Sequence, residues 1–531
     1  MSKKKVCLII TDGWGEGERD QTNPIMTAKL PNMEIIRSHY RGGALQASGI
    51  AVGLPWGEVG NSEVGHLTLG AGKILYQHYP RISIAIETGD FAKNPVLRET
   101  LTKARQSGRL HLIGLLSQGH VHASLEHLIQ LIEVAGKEGG IEIYLHLFAD
   151  GKDSAPRSFL ELYERLLPTM QKHGARMGSI GGRVFGLDRD RHFDRTKEMY
   201  EAIIGNKKLV AEEGEERERI RTYIEAQYAQ GLNDDQLLPA MFFMEGAVRA
   251  HDAVLFFNYR EDSIRQIASC FSSTDLAGQS FYPDFVKEEK VEVILATMTE
   301  YAAGITPLII FPPERVEEPL GKVISRAGLN QLRIAETEKY AHVTYFFNGL
   351  TEAPEPNEYR VLIPSSSTAH HNEHPEMRAR EISERVIATI EEGAMDFILV
   401  NFANADMIAH TGDFAAAVKA LEVLDTEIAR IASAALTRGV TTIITSDHGN
   451  VERMMDPITG IPETKHNASE VHFYLVGSEW ERSLEERRRW RAEERLSVIG
   501  LLSDVAPTIL QILGIKKPDN MTGESLVSRI N

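Results

Sequence analysis

Val6-Cys7-Leu8-Ile9-Ile10 is an unbroken apolar run that stops at Thr11-Asp12-Gly13. Apolar positions without alternation predict a strand covered on both faces, as in a parallel sheet. The pattern returns at residues 397–400, which lead into Asn401 and Asp406, and at 440–445, which lead into Asp447-His448-Gly449-Asn450. Between these two runs, residues 413–438 carry Ala, Leu, Val and Ile at helical spacing, with Asp413 as N-cap and Gly439 after the end. Strands alternating with long helices predict an α/β fold. Ligands of open parallel sheets gather beyond the carboxyl ends of the strands, which is where this reading puts Asp12, Asp406 and Asp447.

The middle of the chain repeats the grammar. Residues 111–116, 143–148 and 253–258 read as strands, followed by His120 and His122, by Asp150 and Asp153, and by Arg260. They predict a second α/β unit, flanked by Pro- and Gly-bearing stretches at 76–81 and 304–313, the latter stiffened by Pro307, Pro312 and Pro313. From 479 to 495 nearly every residue is charged, with Trp480 and Trp490 interleaved, which predicts a solvated helix with i,i+4 ion pairs.

At 531 residues the chain is long enough for at least two hydrophobic cores, and 42% hydrophobic with 25% charged residues is a globular composition. The formal net charge of −17 has the wrong sign for broad binding to nucleic acid or an anionic membrane, so neither partner is expected. Only Cys7 and Cys270 occur, which argues against a disulfide framework and for a reducing, cytoplasmic setting. No stretch approaches the ~18–20 apolar residues of a membrane span.

Several residue patterns carry chemistry. Asp406 and His410 are four apart, so one helical turn presents a carboxylate and an imidazole on one face. Taken alone, that is as well read as a surface ion pair. Asp447-His448 adds a second such pair at a strand end, though Asp-His-Gly-Asn alone is an ordinary turn. His466 and Asp12 complete an oxygen/nitrogen set suited to Mn²⁺, Mg²⁺ or Zn²⁺, without the thiolates of a structural zinc site. If Asp12 shares a site with residues 406–466, both chain ends fold together and the middle is an insertion. Ser62, in Gly60-Asn61-Ser62-Glu63-Val64-Gly65-His66, reads as a phosphate-binding turn, a helix N-cap or a nucleophile.

These residues resemble the cofactor-independent (2,3-bisphosphoglycerate-independent) phosphoglycerate mutases of the alkaline-phosphatase superfamily. The likeness runs in order through Asp12-Gly13-Trp14-Gly15, 60–66, Gly70-Ala71-Gly72, 183–189, 335–343, 401–412, 447–450 and Met521-Thr522-Gly523. It implies an alkaline-phosphatase-like domain, 1–77 with 311–531, and an inserted α/β transferase domain, 78–310, that closes over it. It implies two divalent metal ions, with Mn²⁺ expected: one on Asp406, His410 and His466, the other on Asp12, Ser62, Asp447 and His448. No 2,3-bisphosphoglycerate would be needed. Ser62 would accept the phosphoryl group of 3-phosphoglycerate, Lys339 would neutralise developing charge, and Asp153 would transfer a proton. His122, Lys152, Asp153, Arg183, Arg189, Arg260 and Lys339 would bind the substrate, with Arg260 also counted among the catalytic residues. The expected partner is this small molecule alone, and a monomer is expected.

The chain departs from the family where the glycerate would sit. The family's Arg-Asp pair is Lys152-Asp153, its second Arg after Arg260 is Ser263, and its Gly-Gly-Val-His-Ser-His loop is Gly119-His120-Val121-His122-Ala123-Ser124. Its His three residues before His466 is Glu463. Arg265 would face away from the Ser263 side of a helix, being a rotation of ~200° further on. These departures leave a metal-dependent phosphatase, or a phosphomutase for a related small phosphate ester, as the alternative activity; a scaffold that has lost turnover is a third reading, disfavoured by the retained ligand set.

Overall fold

The apolar runs become the central strands of two sheets. The structure, a computed structural model, describes residues 4–530 apart from 208, 211–213, 275, 307, 367–369 and 491–494. Pro307 thus lies outside the described residues. Two compact units emerge, Met1–Gln77 with Glu314–Asn531, and His78–Pro313. The border after 77 coincides with this division, whereas the one expected after 310 falls after 313. The strand Leu308–Phe311 pairs within the second unit's sheet, so a border after 310 would cut it, and His78–Glu87 is a helix, so most of 76–81 is regular structure.

The first unit's sheet has eight strands. In spatial order they are Glu358–Ile363, Gln331–Glu336, Phe397–Phe402, Lys5–Thr11, Val440–Thr445, Val471–Val476, Arg41–Gln46 and Val498–Leu501. The first five run parallel. Lys5–Thr11 sits between Phe397–Phe402 and Val440–Thr445, and Val6 to Ile10 are almost wholly buried, as a run without alternation requires. Register then does the positioning: Ile10 lies opposite Asn401 on one side and Thr445 on the other, so the three strands deliver Asp12, Asp406 and Asp447 to the same edge. The helix Phe414–Thr437 begins as expected, with the Asp413 side chain accepting from the Ala416 N–H. The predicted helix over 479–495 does not form as one piece. Leu484–Arg489 is a single short helix closed by a Ser483/Glu486 capping box, and 491–494 lie outside the described residues.

The second unit is a seven-stranded sheet in the order Ala240–Met241, Arg176–Gly182, Glu142–Ala149, Arg109–Leu116, Ala253–Phe256, Ile294–Thr299, Leu308–Phe311, parallel except for its first strand. Both cysteines are buried and free. Among the described residues, no helix is long and apolar enough to cross a membrane.

Several histidines are buried without charge. Burial pulls His127 down to about 4 and His472 to about 3, and it holds His146 well below the usual imidazole range. The unfolded chain, with imidazoles near ~6.5, takes up protons that the native state refuses. The contribution of these histidines to stability is therefore complete above pH ~6.5 and is lost as pH falls toward about 4; His127 alone accounts for on the order of 3 kcal/mol of that loss. Denaturant titrations at pH 7.5 and 5 should show the decline, and His127→Gln should flatten it.

Candidate metal centre

Three loops at the carboxyl edge of the first sheet meet around Ser62. The helix Ser62–Ala71 starts there, but its N-cap is Asn61, whose side chain accepts from Val64 N–H. The capping role considered for Ser62 belongs to its neighbour, and the buried Ser62 hydroxyl is left for other partners. Its O–H donates to Asp12 Oδ1 at 3.0 Å, while His448 Nε2 lies 2.9 Å and Lys339 Nζ 2.7 Å from Oγ. Lys339 also donates to Asp12 Oδ1 (2.5 Å) and Asp406 Oδ2 (2.6 Å). Close loop approach depends on Gly13, at φ +71°, where a Cβ would come within 2.7 Å of Asp406 Cβ.

The ligand candidates form two groups, Asp406 with His448 and His466, and Asp12 with His66 and Asp447. His410 adjoins the first group: its Nε2 is 3.3 Å from Asp406 Oδ1 and 3.1 Å from His466 Nε2, which is itself 3.3 Å from Asp406 Oδ1. His448 Nε2 lies between the two groups, 3.5 Å from Asp12 Oδ1, 3.6 Å from Asp447 Oδ2 and 3.9 Å from Asp406 Oδ1, and His66 takes a place beside Asp12. Every expected ligand residue is brought together. Three ligand atoms converging on one point, two of them imidazole nitrogens facing each other, are what a divalent cation needs and what neutral side chains alone avoid. Asp447 Oδ2 gives the same indication, being buried without a well-formed hydrogen bond although His66 Nδ1 is 3.1 Å away.

Charge dominates this buried centre. Burial pushes Asp406 up, but Lys339, His410 and His466 outweigh it and hold the carboxyl well below its ordinary range. Asp12 and Asp447 are likewise lowered against burial, Asp12 mainly by Lys339 and Asp447 by His448 and His66. Burial opposes the charge on Lys339, yet the three aspartates raise its pKa, so it stays an ammonium. His448 is pushed up to about 10 against burial, chiefly by Asp447.

A second cluster forms in the other unit, again beyond strand ends. Arg183 donates to Asp150 Oδ1 (2.5 Å) and Asp153 Oδ2 (3.1 Å), and His122 Nε2 is 3.8 Å from the same Asp153 oxygen. Arg189 and Arg260 both reach Asp262 Oδ2, at 2.8 and 3.1 Å. Lys152 turns instead to Asp235, 3.0 Å away. Ser263 Oγ lies 3.1 Å from His122 Nδ1, and Arg265 stacks over Phe281 at 5.5 Å, turned away as the helical rotation predicts.

The Metalloenzyme superfamily model matches residues 4–517. A 2,3-bisphosphoglycerate-independent phosphoglycerate mutase 1 from Methanosarcina barkeri is 40% identical over 99% of this chain and 98% of its own length. One from Clostridioides difficile is 39% identical over the full length of both chains. The chain belongs to this family. A solved structure of Leishmania mexicana phosphoglycerate mutase, described at low cobalt concentration, is 28% identical with a TM-score of 0.50, over 99% of this chain and 98% of that one. Family membership makes the protein an enzyme, a metal-dependent α/β isomerase of the alkaline-phosphatase type that needs no 2,3-bisphosphoglycerate.

Four residues around this mutase centre lie inside the sequence motifs without a role that those motifs assign. His66 lies four residues after Ser62, on the same helix face, and its spacing could have signalled it. Asn401 donates to Asp12 Oδ2 at 2.8 Å, and Asn450 donates to Asp406 Oδ1 at 2.8 Å. His342 packs against His66, ring centroids 5.3 Å apart, at the start of a π-helical turn, His342–Phe346, just past Lys339. Nothing in the local sequence marks that turn.

Proposed function

We propose that the mutase interconverts 3-phosphoglycerate and 2-phosphoglycerate through a phosphoserine on Ser62. The observation that carries this reading is the convergence of Asp12, His448 and Lys339 on Ser62 Oγ, all within 3.0 Å. Asp12, Asp406, His410, Asp447, His448 and His466 would hold two divalent cations, with His66 alongside, and manganese suits the nitrogen/oxygen set. When bound, such cations supply Lewis-acid stabilisation of the oxygens that gain charge during phosphoryl transfer.

The chain's own groups do the rest. Ser62 Oγ gives up the proton its O–H already directs at Asp12, and forms the new bond to phosphorus as the bond to the 3-oxygen of the substrate breaks. Lys339, kept cationic by its aspartates, donates to the oxygens that gain charge. Asp153, assigned as the proton carrier, protonates the leaving glycerate oxygen and takes a proton from the 2-hydroxyl that attacks next; as that bond to phosphorus forms, the Ser62 Oγ–phosphorus bond breaks and Ser62 recovers its proton from Asp12, so protons balance over the cycle. His122, Lys152, Arg183, Arg189 and Arg260 are assigned to holding the glycerate between the two transfers, since guanidinium forks suit its carboxylate. We assign phosphoryl transfer to the first unit and glycerate holding to the second, with the single chain as the working unit.

Exhaustive chelation should abolish conversion of 3-phosphoglycerate, followed with enolase as coupling enzyme, and Mn²⁺ should restore it. Free phosphate measured in parallel separates a mutase from a phosphatase. Full turnover after verified metal removal would overturn the metal-dependent reading.

A further inference from the structure

His120 occupies a backbone conformation that L residues avoid, with φ +55°. Such strain persists where surrounding structure enforces it, and it clusters at sites that use it. Here the enforcement is visible. Gly119 lies so close to the Asp153 loop that a Cβ would stand 2.3 Å from the Asp153 carbonyl oxygen, which pins this loop to that of the proposed proton carrier. On the other side, Tyr259 N–H donates to the His122 carbonyl at 2.9 Å. The loop is clamped at both ends, and a glycine at 120 would satisfy it without strain. A histidine there needs another reason.

The ring is also held. It lies on Tyr79, centroids 4.4 Å apart and planes at 30°, and Tyr79 in turn stacks on His127 and leans on Tyr259. This aromatic shelf fixes the imidazole plane. Nδ1 is buried with no hydrogen-bond partner, the ring is half-buried, no hydrogen bond joins Nε2 to another described residue, and the Glu126 carboxylate lies near enough to feel the ring's charge. A buried N–H without an acceptor is rarer and costlier than an unused lone pair. The proton is thereby assigned to Nε2, the nitrogen free to meet a ligand.

The neighbours show what is missing. Each cation assigned to the glycerate shares its charge with a carboxylate, Arg183 with Asp150 and Asp153, Arg189 and Arg260 with Asp262, and Lys152 with Asp235, so a further donor would add to their hold. Ser263, beside His122, brings no charge. We propose that His120 is a substrate-contacting, specificity-determining residue whose Nε2–H donates a hydrogen bond to the carboxylate of the bound glycerate moiety. The inference rests on the mutase reading above.

The test is titration calorimetry of Mn²⁺-loaded wild type, His120→Phe and His120→Gly with 3-phosphoglycerate, together with steady-state kinetics. Phenylalanine keeps a ring for the shelf and deletes the donor; glycine suits the backbone, so at least one variant folds. A hydrogen bond to a charged group is worth a factor of roughly 10 to 100. Both variants should weaken binding and raise KM by about that factor, with kcat changed far less. Wild-type-like binding by His120→Phe would show that the ring only packs, and would overturn the proposal while leaving the mutase reading intact. Absence of binding to wild type would bring down both.

Discussion

Ser62→Ala should lower mutase turnover by at least about four orders of magnitude, the scale on which loss of a covalent nucleophile is felt. The protein should remain folded, because the change removes one hydroxyl and little volume. Asp12 keeps its bonds to Lys339 and Asn401, so no buried charge is stranded. Brief exposure of the wild type to 3-phosphoglycerate and Mn²⁺, followed by mass spectrometry, should place one phosphate on Ser62, and the alanine variant should carry none. Near-normal turnover by Ser62→Ala would exclude the covalent route.

Lys339→Met should produce a larger structural effect. The ammonium is buried within 2.6 Å of carboxyl oxygens of both Asp12 and Asp406. An isosteric apolar chain would leave those carboxylates facing each other in a dry centre, and removing one partner of a buried ion pair costs about 3–5 kcal/mol. The loss should be greatest without metal, because divalent cations compensate the same negative charge. Chelation should therefore lower the Tm of Lys339→Met by several degrees more than that of wild type, and saturating Mn²⁺ should recover most of the difference. Turnover should stay depressed even then, since the ammonium that donates to Ser62 Oγ is gone. Equal sensitivity of the two proteins to chelation would mean that Lys339 and the metals do not share one charge balance.

Asn61 and Ser62 are both good N-caps, and nothing local distinguishes them. Only the arrival of Asp12, His448 and Lys339 from distant segments gives the Ser62 hydroxyl better partners and leaves the cap to Asn61. Mixed charge over 479–495 suggested one helix, but charge pairing supports a helix without determining its length, and the chain turns to extended backbone at Trp490. The border after 310 failed because proline signals a break in donors, whereas pairing of Leu308–Phe311 depends on a partner strand, Ile294–Thr299.

What the sequence by itself determined is the class of fold and the chemical inventory. Unalternating apolar runs can be satisfied only by strands covered on both faces, and carboxylates and imidazoles placed just after such runs must lie along a sheet edge. Its motifs were long enough to carry the family resemblance from end to end. What only the tertiary structure decided is which of those groups touch. Strand register set Asn401 beside Ile10, helix placement aimed His66 at Asp447, and a π-helical turn brought His342 against His66. The same holds for His120, whose strain and stacking come from the Asp153 loop and from Tyr79. Local spacing reports which face a residue occupies, but contact across segments is set by the packing of the whole unit, where sub-ångström fit decides the partner.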